Sequence, residues 1–380
     1  MTPKRFAAKQ VGMRPARYSV FLIILFAAFS FADSVRACSV PVFRYALEHW
    51  TPDAYEALVF HRGELDADSQ ALIKRLTREE SGTRANVSVM TIDLAGDQAA
   101  KWQPVWKSFK ADKLPWIAVR PAPRTGITTL LTSEALTEGL VDHLLDSPAR
   151  RDYRARLAAG DSAVWILVES GNAEADNAAA TALDQRINYL NSVLKVPELS
   201  DEDVANGLVS ISSDDLKLQF STLRVSRADA AERLFVKMLL GVESDLGELN
   251  DPMVFPVFGQ GRALYALVGA GINDETIDMA GIFLSGKCSC EVKEENPGLD
   301  LLMTANWKQI SKLPGKRDQR PAQSDSKPQN SGAPEMVKIS AVESEELEDE
   351  VGEVQGTGRR FGIVPFILLF ASLVFVFRKA

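Results

Sequence analysis

The sequence has little of the two residue types on which most protein redox and metal chemistry depends. It contains three cysteines and three histidines among 380 residues. A histidine-based metal centre or a histidine general base therefore has few candidates. No spacing typical of a Ser-His-Asp triad, a phosphate-binding loop or a dense cluster of metal ligands occurs. The sequence therefore predicts neither a catalytic residue nor a resident cofactor.

Positive charge is not in excess either. Lys and Arg number 43 against 51 Asp and Glu, which gives a formal net charge of −8. Binding to nucleic acid depends on concentrated Lys and Arg, so a nucleic-acid partner is not expected. Apolar residues, by contrast, make up 46% of the chain, and they suffice for folded cores. The length accommodates two ordinary domains with further segments.

The two ends of the chain predict export and anchorage in a membrane. Residues 1–37 carry basic residues and then an apolar run, a pattern typical of a signal peptide or signal anchor. Residues 361–377 form an apolar run near the lower limit of about 17–25 residues for a transmembrane helix. We expect a single C-terminal span in the cell membrane, with the main body periplasmic or otherwise extracytoplasmic. Disulfides persist in such a compartment.

A change of composition separates the main body from the predicted span. Residues 313–360 are rich first in Pro, Gly, Ser and Gln and then in Glu and Asp, and they contain few large apolar residues. Such a segment cannot bury enough surface to order itself. It is predicted to be a disordered acidic linker whose charges repel one another.

Between the ends, a similar order of strands and helices occurs twice. Each half is predicted to contain β-α-β-α, then a proline-bearing strand, a further strand and a last helix. In the first half these elements are predicted at 55–60, 66–80, 86–93, 103–109, 114–119, 127–131 and 133–145. In the second half they are predicted at 163–168, 174–194, 216–225, 226–240, 253–258, 262–269 and 273–284. An internal duplication is the simplest interpretation.

This order resembles the thioredoxin fold, in which a proline, usually cis, begins the third core strand. Pro115 and Pro256 are the positions that the resemblance implies for it. The fold class expected is therefore α/β, with two tandem thioredoxin-like domains at 38–151 and 160–312 plus a C-terminal transmembrane helix. Thioredoxin enzymes carry Cys-x-x-Cys at the turn after the first core strand. The matching turns here are 61–64 and 169–172, and neither contains a cysteine.

Two further motifs give the whole chain a second resemblance. They are Cys38-Ser39-Val40-Pro41-Val42-Phe43-Arg44-Tyr45-Ala46-Leu47-Glu48, and Cys288-Ser289-Cys290-Glu291-Val292-Lys293 followed by Asn296-Pro297-Gly298. With these motifs the chain resembles a group of membrane-anchored envelope proteins. The resemblance implies no particular activity.

The cysteines Cys38, Cys288 and Cys290 leave three interpretations open. A disulfide needs Cα atoms about 4.4–6.8 Å apart, whereas two residues of extended chain span about 6.6–7 Å. A bridge between Cys288 and Cys290 therefore requires a turned backbone and would be easily reduced. Alternatively, Cys38 forms a disulfide with one of them, unless residues 35–38 act as a lipoprotein box and Cys38 is lipidated. As thiolates, Cys288 and Cys290 would suit Cu(I) as a metal ligand pair.

The function expected is that of a binding or scaffold module. The non-catalytic thioredoxin-like domains would hold a protein partner in an envelope complex, with the C-terminal helix in the membrane. The alternative is a thiol-redox or copper-handling protein that uses Cys288 and Cys290.

Overall fold

The computed structural model describes residues 39–288 and 292–313. The predicted signal segment 1–37, Cys38, Cys290, the linker beyond residue 313 and the predicted span 361–377 lie outside the described residues. Among the helices that are described, none is both long enough and apolar enough to cross a membrane.

The first half of the chain alternates strands and helices. Its elements are α1 (Val42–His49), β1 (Tyr55–His61), α2 (Ala67–Thr77), β2 (Arg84–Ala85), β3 (Val87–Asp93), α3 (Ala99–Ser108), β4 (Trp116–Arg120), β5 (Thr132–Ala135), α4 (Glu138–Leu145) and α5 (Pro148–Ala158).

The second half continues in the same manner. Its elements are β6 (Ala163–Glu169), α6 (Ala173–Val193), α7 (Asp201–Ala205), β7 (Phe220–Ser226), α8 (Arg233–Leu240), β8 (Met253–Phe258), β9 (Arg262–Ala263), β10 (Leu267–Val268), α9 (Asp274–Ser285), β11 (Leu299–Asp300), β12 (Thr304–Ala305) and α10 (Trp307–Ile310).

Each half builds one mixed sheet, and the two sheets share a topology. The first has the order β3-β1-β4-β5, and the second has the order β7-β6-β8-β9-β11, with β10 also paired to β8. In each sheet the first strand is parallel to the second and antiparallel to the third. The predicted α/β class is therefore confirmed.

Local signals located most elements correctly. Asp66 caps α2, and its carboxylate accepts a hydrogen bond from Ser69 N at 2.7 Å. Asn273 caps α9 with a full capping box. Such caps act over three or four residues, so the sequence alone reveals them.

Other boundaries were wrong where pairing across the sheet prevailed over local propensity. The predicted strand 127–131 and helix 133–145 are replaced by β5 and by α4, whose cap is Thr137. Residues 132–135 pair with β4 and so become strand. In the second half, Ser226 ends β7 and does not cap α8, which begins at Arg233.

The cis-proline expectation holds at Pro115 and not at Pro256. Leu114–Pro115 is cis, and it is the sole cis peptide bond within the described ranges. Pro256 lies inside β8, opposite Trp165 of β6, rather than in front of the strand.

Strand registers explain why Pro256 was the wrong choice. Trp116, the residue after Pro115, pairs with the sixth residue of β1. Met253, the residue after Pro252, pairs with the sixth residue of β6. Pro252 therefore occupies the position equivalent to Pro115, four residues before Pro256 along the chain.

The two halves exchange their outermost segments. The first described residues pack on the second half: Val40 and Trp50 lie in one apolar cluster with α9 and β8, and the Trp50 ring is 6.2 Å from that of Phe258. In the other direction, β12 pairs with β2 of the first half. The segment 40–50 was assigned to the first domain, but its packing partners belong to the second.

One hydrophobic core also joins the halves. Buried side chains from both sheets and from the segment 299–313 belong to it, among them Val59, Ile117, Ile166, Phe255 and Leu301. The ranges 38–151 and 160–312 therefore share a core in addition to having a sheet each.

Gly298 permits a close approach between the segment before β11 and strand β9. Its φ is +113°, and a Cβ atom there would lie 2.4 Å from the carbonyl oxygen of Ala263 in β9. Gly171 also has a positive φ, +93°, but a Cβ atom there would meet nothing within 4 Å.

We expect Gly298→Ala to destabilise the protein much more than Gly171→Ala. Left-handed backbone conformation costs about 1–2 kcal/mol in both variants, whereas the clash with Ala263 raises the cost in Gly298→Ala to about 3 kcal/mol or more. Chemical denaturation of both variants measures the two free energies of unfolding. Equal losses would contradict the close packing of Gly298 on β9.

Candidate functional site

Residues 40–42 of the first motif lie against residues 286–288, where the second motif begins. Cys288 N donates a hydrogen bond to Val40 O at 2.9 Å, and Val42 N donates to Gly286 O at 3.0 Å. Pro41 and Lys287 form an antiparallel bridge between these hydrogen bonds. A short two-stranded contact therefore joins the beginning of the described chain to the segment after α9.

Cys288 is buried, with 1% of its surface exposed, in an apolar cluster that includes Val40 and Leu284. Reactive thiols are partly exposed and lie near positive charge, so this environment is that of a structural cysteine. Cys38 and Cys290 lie outside the described residues. Which of the three cysteines form a disulfide stays a prediction.

A buried group of charges lies just beyond this contact. Lys293 Nζ is 2.7 Å from Asp300 Oδ2, and it also forms an ion pair with Asp53. Arg262 Nη1 is 3.0 Å from Asp300 Oδ1. Arg124 at the rim pairs with Asp53 and, at 2.5 Å, with Glu294. We call these six residues the ion cluster.

Three parts of the chain meet at the ion cluster. Asp53 N donates to Asp300 Oδ2 at 2.7 Å, which ties the segment before β1 to β11. Lys293 Nζ donates to Thr51 O at 2.7 Å. Arg262 of β9 donates from Nη2 to Asn296 O at 2.7 Å and from Nε to Pro297 O at 3.0 Å. The motif residues 293–298 are therefore held by both halves.

Lys293 and Asp300 must be paired because both side chains are buried. The side chains of Lys293 and Asp300 are 8% and 4% exposed, and a buried charge is costly unless it is paired and hydrogen-bonded. Burial lowers the pKa of Lys293, and Asp300 opposes this shift. Burial also raises the pKa of Tyr55, whose hydroxyl group donates to Asp300 O at 3.2 Å.

Two clefts flank the ion cluster. One of about 710 Å³ is lined by the segment 49–54 together with Ser88 and Pro123, and another of about 510 Å³ by Thr125, Tyr265 and Leu299. Both reach Asp53, Arg124, Lys293 and Glu294. Each charged group in the cluster already has a partner of opposite sign, so the arrangement suits binding and rigidity better than acid–base catalysis.

The turn after β1 is closed by a carboxylate. Asp93 Oδ1 accepts hydrogen bonds from Gly63 N at 3.0 Å and from Ala95 N at 2.8 Å. These backbone donors, that of Ala95 first, lower the pKa of Asp93. His61 Nδ1 lies 2.8 Å from Gly63 O. His61 thus forms a contact within its own turn.

The turn after β6 is closed in a related way. The buried Asp176 accepts hydrogen bonds from Ser170 N at 2.7 Å, Ser170 Oγ at 2.8 Å and Gly171 N at 3.0 Å. Asn172 then caps α6. In both halves the turn is therefore occupied by an aspartate network.

Sequence reasoning did not predict the ion cluster. Lys293 occurs in a motif that drew attention for its cysteines, and Asp53 stands 240 residues away from it. No spacing rule connects residues at such a separation. The one available signal was Asp300, a charged residue within the apolar run Leu299–Met303.

Comparison with models of protein families, with curated proteins and with solved structures finds no match to this chain. Within residues 39–288 and 292–313, no group of three or more His, Cys, Asp or Glu side chains is arranged to hold a metal ion. A Cu(I) site at Cys288 and Cys290 stays a prediction, because Cys290 lies outside the described residues.

We expect Lys293→Met to destabilise the protein by about 3 kcal/mol, because Asp300 and Asp53 lose the buried cation that they share and keep only Arg262 and Arg124 as partners. The control is Arg78→Met, which removes an exposed pair with Glu80 at 3.1 Å. Exposed pairs contribute about 0–1 kcal/mol. Chemical denaturation measures both variants, and similar losses would show that the ion cluster does not hold the segments together.

The turn after β1 predicts a pH dependence of stability. Because the folded-state pKa of Asp93 is lowered, its stabilising contribution is complete above the unfolded-state pKa of about 3.9. The contribution is lost as the pH falls through the folded-state pKa. We expect Asp93→Asn, which keeps an acceptor but does not ionise, to lose less stability between neutral and acid pH. Denaturation curves at several pH values test this; parallel acid losses in both proteins would contradict it.

Proposed function

We propose that the protein is a membrane-anchored, extracytoplasmic scaffold with two non-catalytic thioredoxin-like domains. The observation that carries the proposal is the state of the two turns after β1 and β6. A thioredoxin enzyme would place its redox cysteines there, and here Asp93 and Asp176 close the turns through backbone hydrogen bonds. A scaffold needs the strands and helices of the thioredoxin fold but not its redox cysteines.

The sheet topology supports the thioredoxin-like part of the proposal. Each half has the first strand parallel to the second, antiparallel to the third, and a fourth strand beyond the third. Helices α2 and α6 connect the two parallel strands of their respective sheets. This arrangement accords with a duplicated thioredoxin-like unit.

The binding role rests on the rigidity of the region around the ion cluster. A protein partner would meet preformed clefts whose walls come from both halves and whose charges are fixed by internal pairs. Rigid surfaces lose little conformational freedom on association, which favours binding. The partner is inferred to be an envelope protein, because the predicted signal and span place the body outside the cytoplasm.

The alternative is thiol-redox or copper chemistry at Cys288 and Cys290. It requires accessible thiolates. The burial of Cys288 counts against this reading, whereas the scaffold proposal is compatible with a buried or bridged cysteine.

The test uses the full-length chain and variants with serine at Cys38, Cys288 or Cys290. We expect no turnover in reduction or isomerisation of a protein disulfide, and no alkylation of Cys288 in the folded protein at neutral pH. Added Cu(I) should leave the alkylation pattern unchanged. Turnover that disappears in Cys288→Ser and Cys290→Ser, or thiols protected by Cu(I), would overturn the scaffold proposal in favour of the alternative.

A further inference from the structure

The duplicated sheets end in two equivalent edge strands, β3 in the first half and β7 in the second. Both have seven residues and run parallel to the first strand of their sheet. An edge strand presents every second peptide group to the outside, where it can pair with another strand unless something covers it. The two edges differ in this respect.

Side chains of the same protein cover the outer edge of β7. The Asn191 side chain forms hydrogen bonds with both the backbone N–H and the backbone C=O of Phe220. Asn191 Oδ1 accepts from Phe220 N at 2.8 Å, and Nδ2 donates to Phe220 O at 2.9 Å. Two residues further, Arg156 Nη1 donates to Thr222 O at 3.1 Å. Arg224, the next outward residue, adds an exposed charge. The edge of β7 is therefore blocked to a further strand.

The outer edge of β3 has no such cover within the described residues. Tyr55 N donates to Asn86 O at 2.9 Å, and Leu94 N donates to His61 O at 2.8 Å, so the even-numbered residues face β1. The peptide groups of Val87, Val89 and Thr91 therefore point outward. No side chain of the described structure donates to or accepts from them.

The side chains of β3 carry no charge before its last residue, Asp93. Lysine, proline or a bulge, the usual protections of an edge strand, are lacking between Val87 and Ile92. Met90, at the centre of the strand, is 50% exposed. The first half thus has an open, neutral edge with an exposed apolar residue at its midpoint.

We propose that β3 pairs antiparallel with β3 of a second copy of this chain, about a two-fold axis that passes between the two Met90 residues. Outward peptide groups must face each other, which pairs Val89 with Thr91 and sets Val87 opposite Asp93, whose carbonyl oxygen also accepts a hydrogen bond from Gly96 N at 3.2 Å. This register hydrogen-bonds the outward groups of Val89 and Thr91 and joins the two first-half sheets into one continuous sheet.

Met90 then lies opposite Met90 of the second copy. Residues at such non-hydrogen-bonded positions approach closely, with Cα atoms about 4.5 Å apart. The exposed methionine of each copy is covered by that of the other. Pairing of two copies thus explains why Met90, an apolar residue, is exposed in the single chain.

The distribution of charge along β3 favours a second copy of this chain as the strand that pairs with it. Each Asp93 lies opposite Val87, and the two Asp93 residues are separated by six residue steps, about 20 Å along the ladder. No two like charges within β3 oppose each other. A strand with this symmetry is self-complementary, as a two-fold interface requires.

The experiment measures the mass of the full-length chain in mild detergent, by light scattering, over a range of protein concentrations. We expect a reversible dimer. Met90→Lys and Met90→Glu each place two like charges directly opposite, which weakens pairing. The dimerisation midpoint should shift by about tenfold or more in concentration. Met279→Lys, the same change at a 54% exposed methionine of α9, is the control and should leave the midpoint unchanged.

Mixing the two Met90 variants tests the symmetric register itself. Lysine in one copy opposite glutamate in the other restores an attractive pair, so the mixture should dimerise at concentrations at which each variant alone is monomeric. A monomeric wild-type chain would overturn the proposal. So would a dimer insensitive to Met90→Lys, a mixture that stays monomeric, or a different protein bound in place of the second copy and lost with Met90→Lys.

Discussion

The carboxylate of Asp300 is the point to which distant parts of the chain converge. It receives the backbone N–H of Asp53, the ammonium group of Lys293 and the guanidinium group of Arg262. A buried carboxylate is tolerated only when such donors surround it. The strand that carries Asp300 must therefore stay between the segment before β1 and strand β9. This constraint holds the segment before β1 against the last strands of the described structure.

The two halves share a strand order but differ at the outer edges of their sheets. The sheets keep the same strand order, and aspartates close the turns after β1 and β6. The edges differ, because Asn191 and Arg156 cover β7 while nothing in the described structure covers β3. Of the two edge strands β3 and β7, therefore, β3 has an open outer edge and β7 a closed one.

Local patterns were sufficient to locate the main strands and helices. Runs of β-branched residues marked β3 and β6, and Asp66 and Asn273 marked the beginnings of helices. The errors fell where long-range pairing decides, as at β5, which pairs with β4. Pro256 was matched to Pro115 by its place in an apolar run. The registers of β4 and β8 assign that position to Pro252.

The sequence by itself determined the α/β class, the repeated order of strands and helices, and the lack of cysteines in the turns after β1 and β6, because these depend on periodicity and residue identity within short segments. The tertiary structure alone decided that residues 40–50 pack on the second half. It alone paired Lys293 with Asp53, 240 residues away. It also decided which sheet edge stays open. Such contacts join residues far apart in the chain, and their geometry exists only after the strands have taken their registers.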